Sequence, residues 1–122
     1  MPATVFEDQR RFMVASDQTV GEYNKEQFDL YARLIDEEVF ELKDAMIADD
    51  RVEQLDALLD IMVVTIGALH SLGVDAAPAW NEVIRSNMSK VDPATGKVIK
   101  REDGKVLKPE GYSPPQLAQF VK

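Results

Sequence analysis

Apolar residues recur at the three- and four-residue spacing of a helix over roughly residues 3–90, and two of the helices this predicts carry acids inside the apolar stripe. Between Lys25 and Ala48, Tyr31, Leu34, Ile35, Leu42 and Ala45 fall on one face. Glu38 lies within that face, four residues from both Leu34 and Leu42. Glu41 sits three residues further on, about 60° round the helix at about 100° per residue. The next predicted helix runs from about Arg51 to Leu72. Its segment Ala57–Leu69 reads ALLDIMVVTIGAL, apolar all round except for Asp60 and Thr65. That is the mark of a buried helix, so Asp60 is predicted to be a buried acid. Asp56 shares its face one turn earlier, and Glu53 stands one turn before that. Only a few residues around Asp49-Asp50 separate the two helices, which predicts antiparallel neighbours with the Glu38/Glu41 face opposite the Asp56/Asp60 face.

The remaining pattern fills in the architecture. Val5, Phe6, Phe12 and Met13 predict a first helix over 3–15, and Gln18–Glu22 forms a connection containing Gly21. Asn24 followed by Gln27 reads as a capping box opening the second helix. Gly73 stops the third helix as a left-handed cap. Asp75 can cap a fourth helix over 76–90, with Pro78 in its first turn and Trp80, Val83, Ile84 and Met88 along it. After Val91 come turn signals, then KVIK (97–100) and KVLK (105–108) flanking Asp103-Gly104, which predict a small hairpin or paired loop. Pro109, Gly111, Pro114 and Pro115 keep the rest irregular before a final helical turn at Gln116–Phe120. The expected fold is all-α: an antiparallel bundle of about four helices with a short irregular or hairpin tail. It is one domain over residues 1–122, a helical core of about 3–90 and a basic tail of 91–122. The third helix is too apolar to be covered by three others of one small chain, so a homodimer or homotetramer is expected.

Composition narrows the partners. Residues 1–89 hold 18 Asp/Glu against 7 Lys/Arg, whereas residues 90–122 hold 7 Lys/Arg against 4 Asp/Glu. An acidic body with a basic tail suits a ligand bearing both metal ions and phosphates, and suits self-association too. The net charge of −8 argues against broad binding to nucleic acid or anionic membranes. No secretory segment follows Met1, the run Ile61–Leu69 is too short to span a bilayer, and a cytoplasmic location is the default. The absence of cysteine excludes a disulfide framework, a zinc–thiolate site and a thiol nucleophile.

Acids at buried positions need compensation, because an unpaired buried carboxylate is costly and several facing one another repel. Oxygen ligands with no Cys and one His point to a hard divalent ion, Mg²⁺ before Mn²⁺ or Ca²⁺. Glu37 and Glu53 fit a solvated helix face as well as they fit a site. His70 has no partner at ligand spacing and reads as a structural histidine, which also argues against a di-iron bundle. Asp103-Gly104-Lys105 lacks the spaced acids of a calcium loop. Trp80, spaced with Val83 and Ile84, reads as core or subunit contact.

The pattern Glu37-Glu38-x-x-Glu41 followed by an acidic second helix resembles the MazG-like nucleoside triphosphate pyrophosphohydrolases, all-α relatives of phosphoribosyl-ATP pyrophosphohydrolase. The resemblance covers roughly residues 25–115. SNMSK (86–90) and the DGK-x-x-KP segment (103–109) are similar to short phage-type and integron-type members. The resemblance implies hydrolysis of an NTP or dNTP to the monophosphate and pyrophosphate, with two or more Mg²⁺, by a dimer or tetramer. It serves nucleotide-pool control or house-cleaning; for a phage-like member the implied substrate is a deoxynucleotide, purines favoured. The implied metal ligands are Glu38, Glu41, Asp56 and Asp60, with Glu37 and Glu53 as second candidates. Either Glu37 or Glu38 would take the proton from the attacking water. The family's Glu-x-x-Asp departs here: Ala57 stands three residues before Asp60, and the literal match is Glu53-x-x-Asp56. Asn87 and Lys90, and beyond them Lys105, Lys108 and Tyr112, are implied as substrate contacts, whereas Arg85 fits either a functional or a structural role. At Lys90 a helix C-terminus favours a cation anyway. A rival from another class is a non-catalytic acidic helical module that oligomerises and binds a protein. It explains the amphipathic helices and the basic tail, but not carboxylates at buried positions of neighbouring helices.

Overall fold

The computed structural model describes residues 4–121, so the predicted helix start at residue 3 lies outside it. The chain is all-α, with helices α1 (Val5–Ala15), α2 (Lys25–Ile47), α3 (Arg51–Ser71) and α4 (Ala76–Met88). A two-residue antiparallel pair follows, β1 (Val91–Asp92) with β2 (Lys97–Val98), then a single 3₁₀ turn at Ala118–Phe120. The predicted paired loop around Asp103-Gly104 forms through an antiparallel bridge between Lys100 and Val106. The start of KVIK, however, pairs backward with residues 91–92, across the Asp92–Gly96 turn, instead of forward with KVLK. Asp92 drives that choice: its carbonyl accepts from Gly96 N at 2.8 Å and its side chain from Ala94 N at 2.9 Å, closing a tight turn first. No single helix among the described residues is long and apolar enough to cross a membrane.

The described residues fall into two compact units, one running to Ala76 and taking in Val121, the other Ala77–Phe120. In the first, α2 and α3 form an antiparallel hairpin closed by three residues, Ala48 to Asp50. Asp49 takes a left-handed conformation (φ 52°) and Asp50 caps α3, its side chain accepting from Glu53 N at 3.1 Å. At the other end Asn24 caps α2 by accepting from Gln27 N at 3.1 Å. Only half of the predicted capping box forms. Gln27 does not reach back to Asn24; its amide bonds Thr19 N and O at 2.9 and 2.8 Å and the Ser71 hydroxyl at 2.9 Å. Asn24 N donates instead to Ser71 O at 2.9 Å, so the start of α2 is bolted to the end of α3.

Between these two ends Met13, Tyr31 and Ala68 are buried, with Val20, Phe28, Leu34, Ile35 and Val64 packed against them. The Tyr31 ring lies across Gly67, where a Cβ would stand 2.6 Å from Cζ and 2.7 Å from Cδ1. Its hydroxyl donates a short hydrogen bond to Gln18 Oε1. His70 is buried with Nε2 2.8 Å from the Phe6 carbonyl, joining α1 to α3 in a structural role. Gly73, at φ 78°, ends the hairpin where a Cβ would meet Tyr23 N at 2.6 Å.

Burial of α3 is less complete than its composition suggests. Ala57, Ile66, Gly67 and Ala68 are buried, but Leu55, Leu58, Leu59, Met62 and Val63 are exposed. A helix apolar all round needs neighbours all round, and α1 and α2 cover only part of its circumference. Trp80, expected in a core or a subunit contact, is 56% exposed on α4 and is no part of a core in this chain.

Replacing Gly67 with alanine tests the close crossing. The added methyl must push the Tyr31 ring away, at a cost of about 1–3 kcal/mol that outweighs the ~1 kcal/mol gain in helix propensity. Urea unfolding of Gly67→Ala is expected to show a lower midpoint; an unchanged or higher midpoint would mean that the ring moves aside freely.

Candidate metal centre

Three carboxylates meet across the α2–α3 hairpin. Glu38 and Glu41 from α2 and Asp60 from α3 each offer an oxygen, and these atoms lie within 4.8 Å of one another. The three-residue spacing of the two glutamates projects them over adjacent turns of one face, and the short Ala48–Asp50 connection sets the register that brings Asp60 opposite. Glu38 and Asp60 are partly buried, whereas Glu41 opens to solvent. Glu38 Oε2 is fully buried, and among the described residues it has no hydrogen-bond partner.

The electrostatics follow from this crowding. Burial first, then a hydrogen bond with Glu41 and the charges of Glu41, Asp60 and Asp56, push Glu38 from 4.5 up to about 7. Asp60 is pushed up as well, mainly by burial and then by the charges of Asp56 and Glu41. No Lys, Arg or His closes on the three acids among the ion pairs of the described residues. An orphaned buried oxygen in an all-carboxylate set fits a hard divalent cation, which would satisfy Oε2 and remove the repulsion together.

Other acids expected at the site are placed differently. Asp56 is exposed and outside the group of three, one helical turn from Asp60 and about 6 Å along the axis at 1.5 Å per residue. It is still near enough for its charge to raise both Glu38 and Asp60. Glu53 is exposed beside the hairpin turn and lines a shallow acidic depression with Glu41, Asp44 and Asp50. Glu37 is exposed on α2, also outside the group.

In the second unit two of the three lysines expected to bind substrate gather at one aromatic ring. Lys90 Nζ lies 5.8 Å and Lys108 Nζ 5.0 Å from the centroid of Tyr112, both within cation–π range. Lys90 Nζ also donates to Asn87 Oδ1 at 3.2 Å, which brings Asn87 into the same group. Lys105 stays apart, exposed in the Arg101–Lys105 turn. Arg85 takes the structural alternative: its guanidinium forks onto Glu82 at 2.6 and 2.9 Å and donates to Pro114 O at 3.1 Å. Sequence reasoning passed over Glu82, although a glutamate three residues before an arginine on a helix is a legible signal.

The family model for phosphoribosyl-ATP pyrophosphohydrolase matches residues 9–87, a span that contains α2, α3 and all three meeting carboxylates. No curated protein matches the chain closely enough to count as a relative.

The raised pKa of Glu38 has a consequence for stability. Its proton is held more tightly in the folded chain, so its contribution is fully present below about 4.5 and is lost as pH rises through about 7. In EDTA, thermal melts from pH 5 to 8 are expected to show Glu38→Gln gaining on the unsubstituted protein as pH rises. Adding Mg²⁺ or Mn²⁺ at pH 8 is expected to stabilise the unsubstituted protein, by about 2.7 kcal/mol at a hundred times the dissociation constant, and to leave Glu38→Gln little changed. A gap that stays constant across the range would remove the electrostatic account of the cluster.

Proposed function

The chain belongs to the phosphoribosyl-ATP pyrophosphohydrolase family, and from that premise we propose that it hydrolyses a nucleoside triphosphate to the monophosphate and pyrophosphate with the help of Mg²⁺. The observation that carries this reading is the buried, unpartnered Glu38 Oε2 among carboxylates from two helices. A cation bound there would satisfy that oxygen and offset the repulsion among the acids. Divalent cations bound there supply neutralising charge for the triphosphate and acidify a water molecule. Two or more Mg²⁺ are proposed, with Mn²⁺ able to substitute.

The chain's own residues then divide the work. Glu38, Glu41 and Asp60 would hold the cation, with Asp56, one turn from Asp60, as a further ligand. Glu37 or Glu38 accepts the proton from the attacking water. Asn87, Lys90, Lys105, Lys108 and Tyr112 bind the anionic substrate, and the cation-rich ring of Tyr112 supports that role. A deoxynucleotide substrate and a cytoplasmic role in nucleotide-pool control or house-cleaning follow from the likeness of SNMSK (86–90) and the 103–109 segment to phage-type members. Exposed Leu55, Leu58, Leu59, Met62 and Val63 support a homodimer or homotetramer that covers the open side of α3.

The test is incubation with Mg²⁺ and a panel of NTPs, dNTPs and phosphoribosyl-ATP, with the products separated by chromatography. Monophosphate plus pyrophosphate is the expected outcome. Diphosphate plus phosphate would move the cleavage point, and no turnover with either Mg²⁺ or Mn²⁺ would favour the non-catalytic helical module. Asp60→Asn is expected to cut turnover by at least about a hundredfold, on the order of 3 kcal/mol of transition-state stabilisation, while keeping the helical circular dichroism. Full activity in that variant would remove Asp60 from the site.

A further inference from the structure

The second unit contains a set of hydrogen bonds that the proposed chemistry does not use. Glu82 Oε1 accepts from Arg85 Nε at 2.6 Å, and Oε2 accepts both from Arg85 Nη2 at 2.9 Å and from the backbone N–H of Gln116 at 2.6 Å. Arg85 Nη2 donates onward to the Pro114 carbonyl at 3.1 Å. Just past the end of α4, Ser89 Oγ accepts from Ser113 N at 2.9 Å and donates to Ser86 O at 2.6 Å. Residues 113–116 are thus tied at four backbone groups, Ser113 N and O, Pro114 O and Gln116 N, to three side chains of α4 and the turn after it, although Pro114 and Pro115 give this segment no regular structure of its own. Tyr112 is the residue immediately before the tied segment, and its ring carries both Lys90 and Lys108.

A surface ion pair between neighbouring turns contributes little by itself. Glu82 is different in its surroundings: its side chain is 12% exposed and it serves two donors from Arg85 and one from the tail. The guanidinium and the amide N–H of Gln116 together hold its carboxyl down to about 2, so the pair stays charged through the whole physiological range. Arg85 is therefore spoken for, and it is no free phosphate ligand. Its fork fixes a planar geometry that lysine would not reproduce.

We propose that Glu82, Arg85 and Ser89 are positioning residues that hold residues 113–116 against α4 and the turn after it, and thereby keep the Tyr112 ring within cation–π reach of two lysine ammonium groups, setting the affinity for a polyphosphate chain. Two cations gathered at one ring repel each other, and the ring's negative face only partly offsets this. A polyanion relieves the repulsion, and pre-arranging the two lysines lowers the ordering cost of binding it. The substrate class rests on the triphosphate reading above, but the binding step is separable from catalysis.

Calorimetry with inorganic tripolyphosphate, at low ionic strength and in EDTA, tests it on the full chain without the metal centre contributing. Arg85→Ala is expected to weaken binding by about tenfold, Tyr112→Ala by a similar factor, and the double variant by no more than Tyr112→Ala alone, because Arg85 acts through the ring. Arg85→Lys is expected to restore only part of the affinity. Hydrogen exchange at Ser113 and Gln116 should accelerate in Arg85→Ala, and with a turned-over nucleotide the loss should fall on KM more than on kcat. Additive losses in the double variant, or a lower melting temperature with unchanged tripolyphosphate binding, would overturn the positioning role while leaving the nucleotide reading intact. Unchanged binding in Tyr112→Ala would overturn it together with the assignment of Tyr112 as a phosphate contact, and the chromatographic assay would still decide the reaction separately.

Discussion

Three carboxylates held within 4.8 Å of one another across two packed helices are the constraint on which the rest of the first unit depends. Their mutual repulsion acts to part α2 from α3, and burial raises its cost because little water screens Glu38. The hairpin stays shut because it is fastened on both sides of the cluster. On one side the turn through Asp49 and Asp50 leaves three residues between helices, and Asp50 N donates to Ala45 O at 2.9 Å. On the other the Tyr31 ring crosses Gly67, and Gln27 and Asn24 reach Ser71. Packing at the ends supplies the rigidity; repulsion in the middle leaves a place that a cation improves.

This division of labour explains why the apolar content of α3 is spread so unevenly by burial. Apart from Ile66, the apolar residues buried on α3 are small, Ala57, Gly67 and Ala68, and at Gly67 the missing side chain lets Tyr31 of α2 approach closely. The large ones, Leu55, Leu58, Leu59 and Met62, lie exposed. Close approach of helices and cover of the hydrophobic surface are separate demands. The three helices of this unit meet the first demand with their own residues and the second only in part.

Much of this was legible in the linear pattern, for a physical reason. Helix boundaries were readable because Asn24, Asp50 and Gly73 satisfy or end backbone hydrogen bonding locally, and their partners lie within three or four residues. Glu38 and Asp60 stood out because they interrupt an apolar face. Two features escaped because their partners are distant in sequence. Gln27 fitted a capping box by spacing, yet it bonds Ser71, 44 residues away. Glu82 was passed over, and its bond to Gln116 spans 34 residues. Spacing also put Asp56 and Asp60 on one face, but axial rise, about 6 Å over four residues, separates them along it. Periodicity reports angle well and height poorly.

Glu38 and Glu82 show how far environment alone can carry one side chain. Each is a glutamate on a helix, largely withdrawn from water, and each interacts with groups three residues further along its own helix and on a distant segment. For Glu38 those groups are acids, Glu41 and Asp60, and its carboxyl is driven up to about 7. For Glu82 they are donors, the Arg85 guanidinium and the Gln116 amide, and its carboxyl is driven down to about 2. The second glutamate has its needs met within the chain, which makes it a fastening. The first does not: among the described residues, one oxygen is left with nothing to accept from. A structural carboxylate is recognised by partners that complete it, and a functional one by a deficit that only a ligand can fill.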